Sequence, residues 1–536
     1  MILAQLHGAQ AEFTGVVEGM SGSPVYIGNK LLGSLSYRIG QFSKEPIAGI
    51  TPIEQMLSLR DLPSGPGQPN PPSETPVHED ALASAPGAPS APVDTSAMNF
   101  QAMETPLVMS GFLPQAIQLW QQKMAGTSLA EVAAGGMMSG SSDVDSRISE
   151  AALATLKPGS AISAQLVRGD LEIAATCTIT YIDPKQLLAC GHPVLQAGPV
   201  SLPMTAADVV TTLASPLNAF KIINTGATVG AFTEDRESGI RGVLRAQAHM
   251  IPMHIAIDGP EGPRKVSVEV LDLPSLTPQA VLVVLYDALL QSNESTAETS
   301  YHVTGSIDLA DYSPAPLDLW ASPGGMMPAP LDAALQTGEH FMSLYANDAR
   351  RGAITNIDLH VQAIPRRLQV ELVSSRIVSR DIVHAGDTVM VEATLRPWQQ
   401  PERNVRIPIV LPARLGPGNL RVLVSDGATL DRTLNQPQLT TRSADIETVL
   451  AQDRRAHPAD RIYVSLLAPE AQAAMDGRTL TSLPLSVANA LEPVRSTQDI
   501  SLNGESAELA GQAPAGGILS GFQILTVHID PGGGLH

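Results

Sequence analysis

Short runs of alternating apolar and polar residues fill most of this chain. Val25-Tyr26-Ile27 leads into a Gly28-Asn29 turn, after which Leu35, Tyr37 and Ile39 alternate with Ser36 and Arg38, the spacing of a β-hairpin. Thr51-Pro52-Ile53-Glu54 then offers a capping threonine, a proline at the first helical position and a glutamate three residues after the cap, which predicts a short helix. From Asp61 to Asn99 the pattern stops: nine prolines, many Ala, Ser and Gly and no aromatic residue cannot bury enough apolar surface to offset ordering entropy, so a flexible linker is expected.

Pattern returns at Pro114 to Met124, where Ile117, Trp120 and Met124 share one helical face, and Gly135 to Ser142 reads as a loop in which Met138-Ser139-Gly140-Ser141 is linker. Ile162, Ala164 and Leu166 alternate with polar neighbours, as do Ile173, Ala175, Cys177, Ile179 and Tyr181. An Asp183-Pro184 turn and the strand Leu187-Leu188-Ala189-Cys190 follow. That strand delivers Gly191-His192-Pro193. Lys265 to Val270 and Val281 to Leu285 read as further strands. Residues 366–426 alternate repeatedly around turns at His384-Ala385-Gly386-Asp387 and Gly416-Pro417-Gly418, the spacing of an immunoglobulin-like β-sandwich without its Cys-Trp-Cys framework. Ser443 caps a helix expected over Ala444 to Gln452, which opens a C-terminal α/β tail.

Composition narrows the classes. A chain of 536 residues is too long for one core and suggests about three to four domains. The net charge of −20 is spread thinly, with no basic stripe interleaved with aromatics, so nucleic acid is not an expected partner. No apolar run is long enough for a transmembrane segment, and MILAQLHGAQ lacks the features of a signal peptide. Because MILAQL reads like the middle of a strand, an upstream piece with an export signal is expected, which would place the protein in the periplasm or outside the cell. Cys177 and Cys190 are too few for a disulfide framework or a zinc site. They would lie on facing strands of one hairpin, where buried free thiols are the expected outcome.

Chemistry concentrates in Glu18 to Gly33, EGMSGSPVYIGNKLLG. Its Gly19-Met20-Ser21-Gly22-Ser23-Pro24 core has the form of a nucleophile turn, since glycines allow the torsions needed to aim two N–H groups at one oxygen and Pro24 fixes the exit. A serine of that kind needs an imidazole. His192, set between a glycine and a proline at a strand end, is the best candidate base.

The GMSGSP turn with its GNKLLGSLSY hairpin, the run LVRGDLEIAATCTITYIDPKQLLACGHPV (Leu166 to Val194), and VGAFTEDRESGIRGVL (Val229 to Leu244) with Ile251-Pro252 together resemble the SpoIVB-type serine peptidases, the stage IV sporulation factor B family. The resemblance spans roughly residues 1–60 and 160–255. It implies a trypsin-like double β-barrel, a protein or peptide substrate, and catalysis by acyl transfer without a cofactor or metal. Ser21 falls on the nucleophile and His192 on the general base, with the backbone N–H groups of Gly19 and Ser21 as oxyanion hole. In the family the histidine segment precedes the serine turn; here the order is inverted, so the barrel is expected to be permuted. The family's acid lies some fifteen residues before its serine, where this chain has Leu6 and His7, and the third member of the triad stays open.

Other acids read as structural. Asp208 follows Thr205 by three residues in a helix-capping arrangement, Asp183 belongs to its turn, and Asp235 sits in the polar TEDRES stretch, where solvent exposure is expected. The expected fold is mainly β. Residues 1–60 form the serine part of a peptidase-like barrel, 61–104 a Pro/Ala/Ser-rich linker and 105–159 a helical, Gly-rich connector. Residues 160–365 form the histidine part with a following β-region, 366–435 the sandwich-like domain and 436–536 the tail. The expected function is serine endopeptidase; the alternative is a catalytically inactive, envelope-associated binding or scaffold protein that keeps the peptidase fold.

Overall fold

The computed structural model describes residues 1–8, 15–39, 46–62, 100–103, 105, 107–127, 129, 132–134, 147–213, 220–292, 297–324, 327–346, 352–378, 382–435, 446–468, 470–475, 478–494 and 500–530. Of the linker expected over 61–104, residues 63–99 lie outside them, as do the loop from Gly135 and the cap Ser443, whereas Phe100–Ala102 of that linker is a strand, because it pairs with Tyr37, Arg38 and Ile39. The fold is mainly β, as expected, and it divides into two compact units. One comprises Met1–Met250 with Val268–Leu273, the other Ile251–Ser267 with Pro274–His536.

The first unit holds two curled sheets. β1 (Ile2–Gln5), β2 (Pro24–Ile27), β3 (Lys30–Ile39), β4 (Ile47–Pro52) and β5 (Phe100–Ala102) make one, ordered β1-β4-β3-β2 with β5 beside β3. The predicted hairpin is in place, Ile27 pairing with Lys30 across Gly28-Asn29. The second sheet contains β6 (Leu107–Ser110), β7 (Val132–Ala134), β8 (Ala161–Gly169), β9 (Glu172–Ile182), β10 (Gln186–Ala189), β11 (Gly198–Leu213), β12 (Phe220–Arg236) and β13 (Gly239–Leu244). Its antiparallel pairings run β8-β11-β12-β13-β10-β9 and return from β9 to β8, so six strands close on themselves. Closure removes the exposed edges that an open sheet of this length would present.

β9 explains how the two sheets are joined. Ile173, Ala175, Cys177 and Ile179 occupy one face and are buried, as their alternation predicts. Thr176, Thr178 and Thr180 occupy the other and are buried too. Thr176 Oγ1 lies 2.6 Å from Ser163 Oγ, while Thr178 and Thr180 donate to main-chain carbonyls of the serine turn. Hydroxyls suit this buried interface because each finds a hydrogen-bond partner.

Beside it, the helix Ile53–Leu57 forms where expected, but Thr51 does not cap it. Its hydroxyl instead donates to the Gly191 carbonyl at 2.6 Å. Met56 and Leu59 pack on Leu188 and Tyr181, whereas Leu35 packs with Ala48 and Met103 in a separate cluster. The helix Pro114–Lys123 matches its predicted span and buries Trp120, whose Nε1 donates to the Leu129 carbonyl.

Three local expectations are corrected. Asp208 lies within β11 opposite Asn224, not at a helix start, because cross-strand pairing along the β11–β12 hairpin overrides the local capping pattern. Val281 to Leu285 belong to the helix Thr277–Gln291, which is buried almost throughout; a helix apolar on all sides loses the periodicity that separates it from a strand. Cys177 and Cys190 are not free thiols but a disulfide, with Cα atoms 5.2 Å apart, since β9 and the end of β10 face one another.

Replacing both cysteines by serine is expected to cost about 2–3 kcal/mol, the loop-closure contribution of a short loop. Urea unfolding under non-reducing conditions measures it. An unchanged midpoint would mean that the bond contributes nothing to holding β9 against β10.

In the second unit, Ala315–Ala321, Ser300–Leu309, Ile354–Ile364 and the strand from Ile251 form one sheet in that order, accompanied by the helices Thr277–Gln291 and Ala329–Tyr345. Further on, two four-stranded sheets share a core. Arg403–Val410, Thr388–Pro397, Gln369–Val378 and Ile518–Ser520 form one; Ser506–Pro514, Arg461–Ala468, Gly418–Ser425 and Phe522–Ile529 form the other. Val391, Leu395 and Ile409 of the first meet Val422, Val464 and Ile529 of the second. Four of these eight strands come from beyond residue 435, so the expected α/β tail supplies half of a β-sandwich. The predicted tail helix spans Ile446–Asp453.

Candidate functional site

The serine turn rests on the threonine face of β9. Gly19 and Gly22 both take left-handed backbone angles, φ 85° and 93°. The N–H of Met20 donates to the Val17 carbonyl at 3.1 Å, that of Gly22 to Leu35 at 2.8 Å, and that of Ser23 to Met20 at 2.9 Å. The amides of Gly19 and Ser21 have no acceptor among the described residues. These are the two N–H groups expected to form an oxyanion hole. Carbonyls of the turn are held from below: Ser21 accepts from the Thr178 amide at 2.8 Å, Gly22 from Thr180 Oγ1 at 2.8 Å, and Gly19 from Thr178 Oγ1 at 3.1 Å and Lys221 Nζ at 2.8 Å. The Ser21 side chain is fully buried, and its Oγ has no hydrogen-bond partner among the described residues.

The histidine strand meets the same residue, Thr178, from the other direction. After β10 the chain turns sharply through Cys190 and Gly191, at φ 65° and 72°. A Cβ on Gly191 would stand 2.1 and 2.2 Å from the hydroxyls of Ser36 and Ser34, so only glycine fits. The amide of Cys190 donates to the Thr178 carbonyl at 3.2 Å. Thr178 therefore binds the serine turn through its N–H and hydroxyl, and the histidine strand through its carbonyl. In this way the structure brings together two motifs far apart in sequence.

The imidazole is fully buried. Its Nδ1 lies 2.8 Å from the Pro193 carbonyl, which can only accept, so Nδ1 carries the proton and Nε2 presents a lone pair. Nε2 has no hydrogen-bond partner among the described residues, and it is therefore not bonded to Ser21 Oγ. Burial pushes the imidazole down to about 4, against which the Pro193 hydrogen bond acts, and the ring is neutral at pH 7.

Among the described residues no carboxylate is hydrogen-bonded or ion-paired to this imidazole. Asp183 serves its turn, accepting from the Lys185 and Gln186 amides at 2.9 and 3.0 Å, as expected. Asp235, expected in solvent, is only 2% exposed. It accepts from the Val194 and Leu195 amides at 2.9 and 2.5 Å, which the polar look of TEDRES conceals. Glu18 lies 3.5 Å from Arg38 in a buried ion pair just before the turn. Lys221, held lower than usual by burial, was also invisible to sequence reasoning, because nothing local ties a lysine on β12 to a glycine carbonyl far upstream.

A cleft of about 960 Å³ opens beside this junction, lined by Tyr37, Thr51, Gln55, Leu59, Arg236 and Glu237. Thr51 links its wall to the histidine segment through the Gly191 carbonyl. Among the described residues no three His, Cys, Asp or Glu side chains converge to hold a metal, and no helix is long and apolar enough to cross a membrane. Comparison of the chain with protein-family models, curated proteins and solved structures returned no match.

Proposed function

We propose that this chain is a SpoIVB-like serine endopeptidase, built on a permuted trypsin-like double barrel and acting on protein or peptide substrates, with the immunoglobulin-like sandwich as an appended positioning module. One observation carries the reading: Ser21 Oγ and His192 Nε2 are buried, unpartnered polar atoms on two segments tied to the same residue, Thr178. Buried polar atoms without partners are costly and rare, and they mark places where a fold serves something besides its own stability.

The chemistry follows from the tautomer. Neutral His192, protonated at Nδ1, accepts the Ser21 proton at Nε2 as the hydroxyl attacks a peptide carbonyl. The amides of Gly19 and Ser21 receive the oxyanion. The imidazolium then returns its proton to the leaving amine, and water hydrolyses the acyl-enzyme by the same route. Since both side chains are buried, the cleft beside Thr51 must widen before a substrate is admitted, and Ser21 and His192 close to hydrogen-bond distance in that state.

The second reading, a non-catalytic envelope-associated scaffold, draws on the same burial and on the carbonyl where a triad has a carboxylate. Labelling with a fluorophosphonate probe separates the two. Ser21→Ala is expected to abolish labelling, and His192→Ala to lower it nearly as far, because members of one catalytic unit are not additive. Wild-type protein that never labels, or a Ser21→Ala variant that labels equally, leaves the scaffold reading standing.

A further inference from the structure

We propose that Asp235 is the positioning residue for His192, acting across a single peptide group. The Pro193 carbonyl and the Val194 N–H belong to the same planar amide. Its oxygen accepts from His192 Nδ1 at 2.8 Å, and its N–H donates to Asp235 Oδ1 at 2.9 Å. Carboxylate, peptide and imidazole thus form one chain of hydrogen bonds, in which the charge polarises the amide and makes its oxygen a better acceptor. The arrangement fixes the ring's tautomer through one interposed peptide, as a triad carboxylate does directly.

The surroundings fit a carboxylate held for this purpose. Asp235 Oδ2 accepts from the Leu195 amide, and the Gln196 and Ala197 amides lie close enough to favour its charged form, so residues 194–197 wrap around it. Gln196 takes φ 53° and Gly198 φ 75°, the turns that bring successive N–H groups onto one anion. Asp235 itself sits in the barrel wall, paired with Gly198 on one side and Ile240 on the other. The nearby guanidinium groups of Arg236 and Arg241 face Glu234, at 2.9 and 3.9 Å. Asp235 therefore has the histidine loop as its partner.

The catalytic side of this inference rests on the peptidase reading, but its primary test does not. In ¹⁵N NMR of the wild-type protein, the His192 ring is expected to show a protonated Nδ1 and a bare Nε2 at pH 7; a ring protonated at Nε2 overturns the proposal. In Asp235→Asn, whose amide group opposes the Leu195 N–H, the Nδ1–H resonance is expected to move and the tautomers to mix. An unmoved resonance in that variant, shown to be folded by its circular dichroism, also overturns it. Should Asp235→Asn fail to fold, Val194→Pro keeps the carboxylate and removes the donating N–H, and the same shift is expected. Fluorophosphonate labelling is expected to slow about 10- to 100-fold in either variant, the scale of losing an outer-shell partner. A wild type that never labels counts against the peptidase reading alone, since the tautomer is measured without any turnover.

Discussion

Gly22→Ala is expected to destabilise the first unit by more than about 4 kcal/mol, which places it among the severe single substitutions. Two causes add. At φ 93° any side chain is strained, at roughly 1–2 kcal/mol. The added Cβ would also stand 1.9 Å from the Thr178 carbonyl oxygen and 2.7 Å from the Cys190 nitrogen, both backbone atoms. Neither atom moves alone, since Thr178 is hydrogen-bonded at once to Ser21 and Cys190 and the disulfide joins Cys190 to the preceding residue on β9, Cys177. Gly28→Ala is the control: it shares a left-handed backbone, φ 59°, but its Cβ meets nothing within 4 Å, so only about 1–2 kcal/mol is expected. Urea unfolding of both variants compares them. Equal losses would show that torsion alone sets the cost and that the turn does not lie against β9 as closely as described.

That contrast shows how far the sequence reveals the site. The GMSGSP turn, its hairpin and the Gly-His-Pro strand end were all legible, because each is a local pattern of glycine, proline and alternating residues. What joins them was not. Thr178 looks like the solvent-facing half of an alternating strand, and only the turn packed on that face makes it a buried anchor. Thr51 reads as a helix cap but spends its hydroxyl on Gly191, a choice no local propensity encodes. Asp235 stands among Thr, Glu and Arg and reads as solvated. It is buried because the loop from Val194 folds over it from the far end of the β11–β12 hairpin. The same limit hid half of the sandwich, where Val370 pairs with Leu519 and Val422 with Leu525.

Acidification is expected to destabilise the first unit on the order of 3 kcal/mol, by way of His192. Its imidazole titrates at about 4 when folded, against an ordinary 6.5. Between those values the unfolded chain binds a proton that the folded chain refuses. Stability is therefore complete above pH 6.5, declines as pH falls, and levels off below about 4. Asp235 works the other way: burial raises its carboxyl, so the folded chain takes up its proton first and offsets part of the loss at the acid end. In the second unit His340 is pushed down to about 4 and Asp453 up to about 7, and their atoms lie 3.7 Å apart. That pair holds one proton through the same interval, as it does when unfolded, and contributes almost no slope. Urea unfolding at several pH values between 4 and 7.5, for wild type and His192→Gln, isolates the histidine, because the other groups cancel in the difference. Parallel stability curves would sink the assignment of a neutral, buried imidazole. The same proton bears on activity. A triad carboxylate would lift the imidazole towards neutrality, whereas a carbonyl acceptor leaves burial in control, so the acid limb of fluorophosphonate labelling is expected well below pH 6, closer to 4. A labelling profile that fell off at pH 6 to 7 would mean that the open, reactive state hydrates the His192 ring or brings a negative charge to its Nδ1.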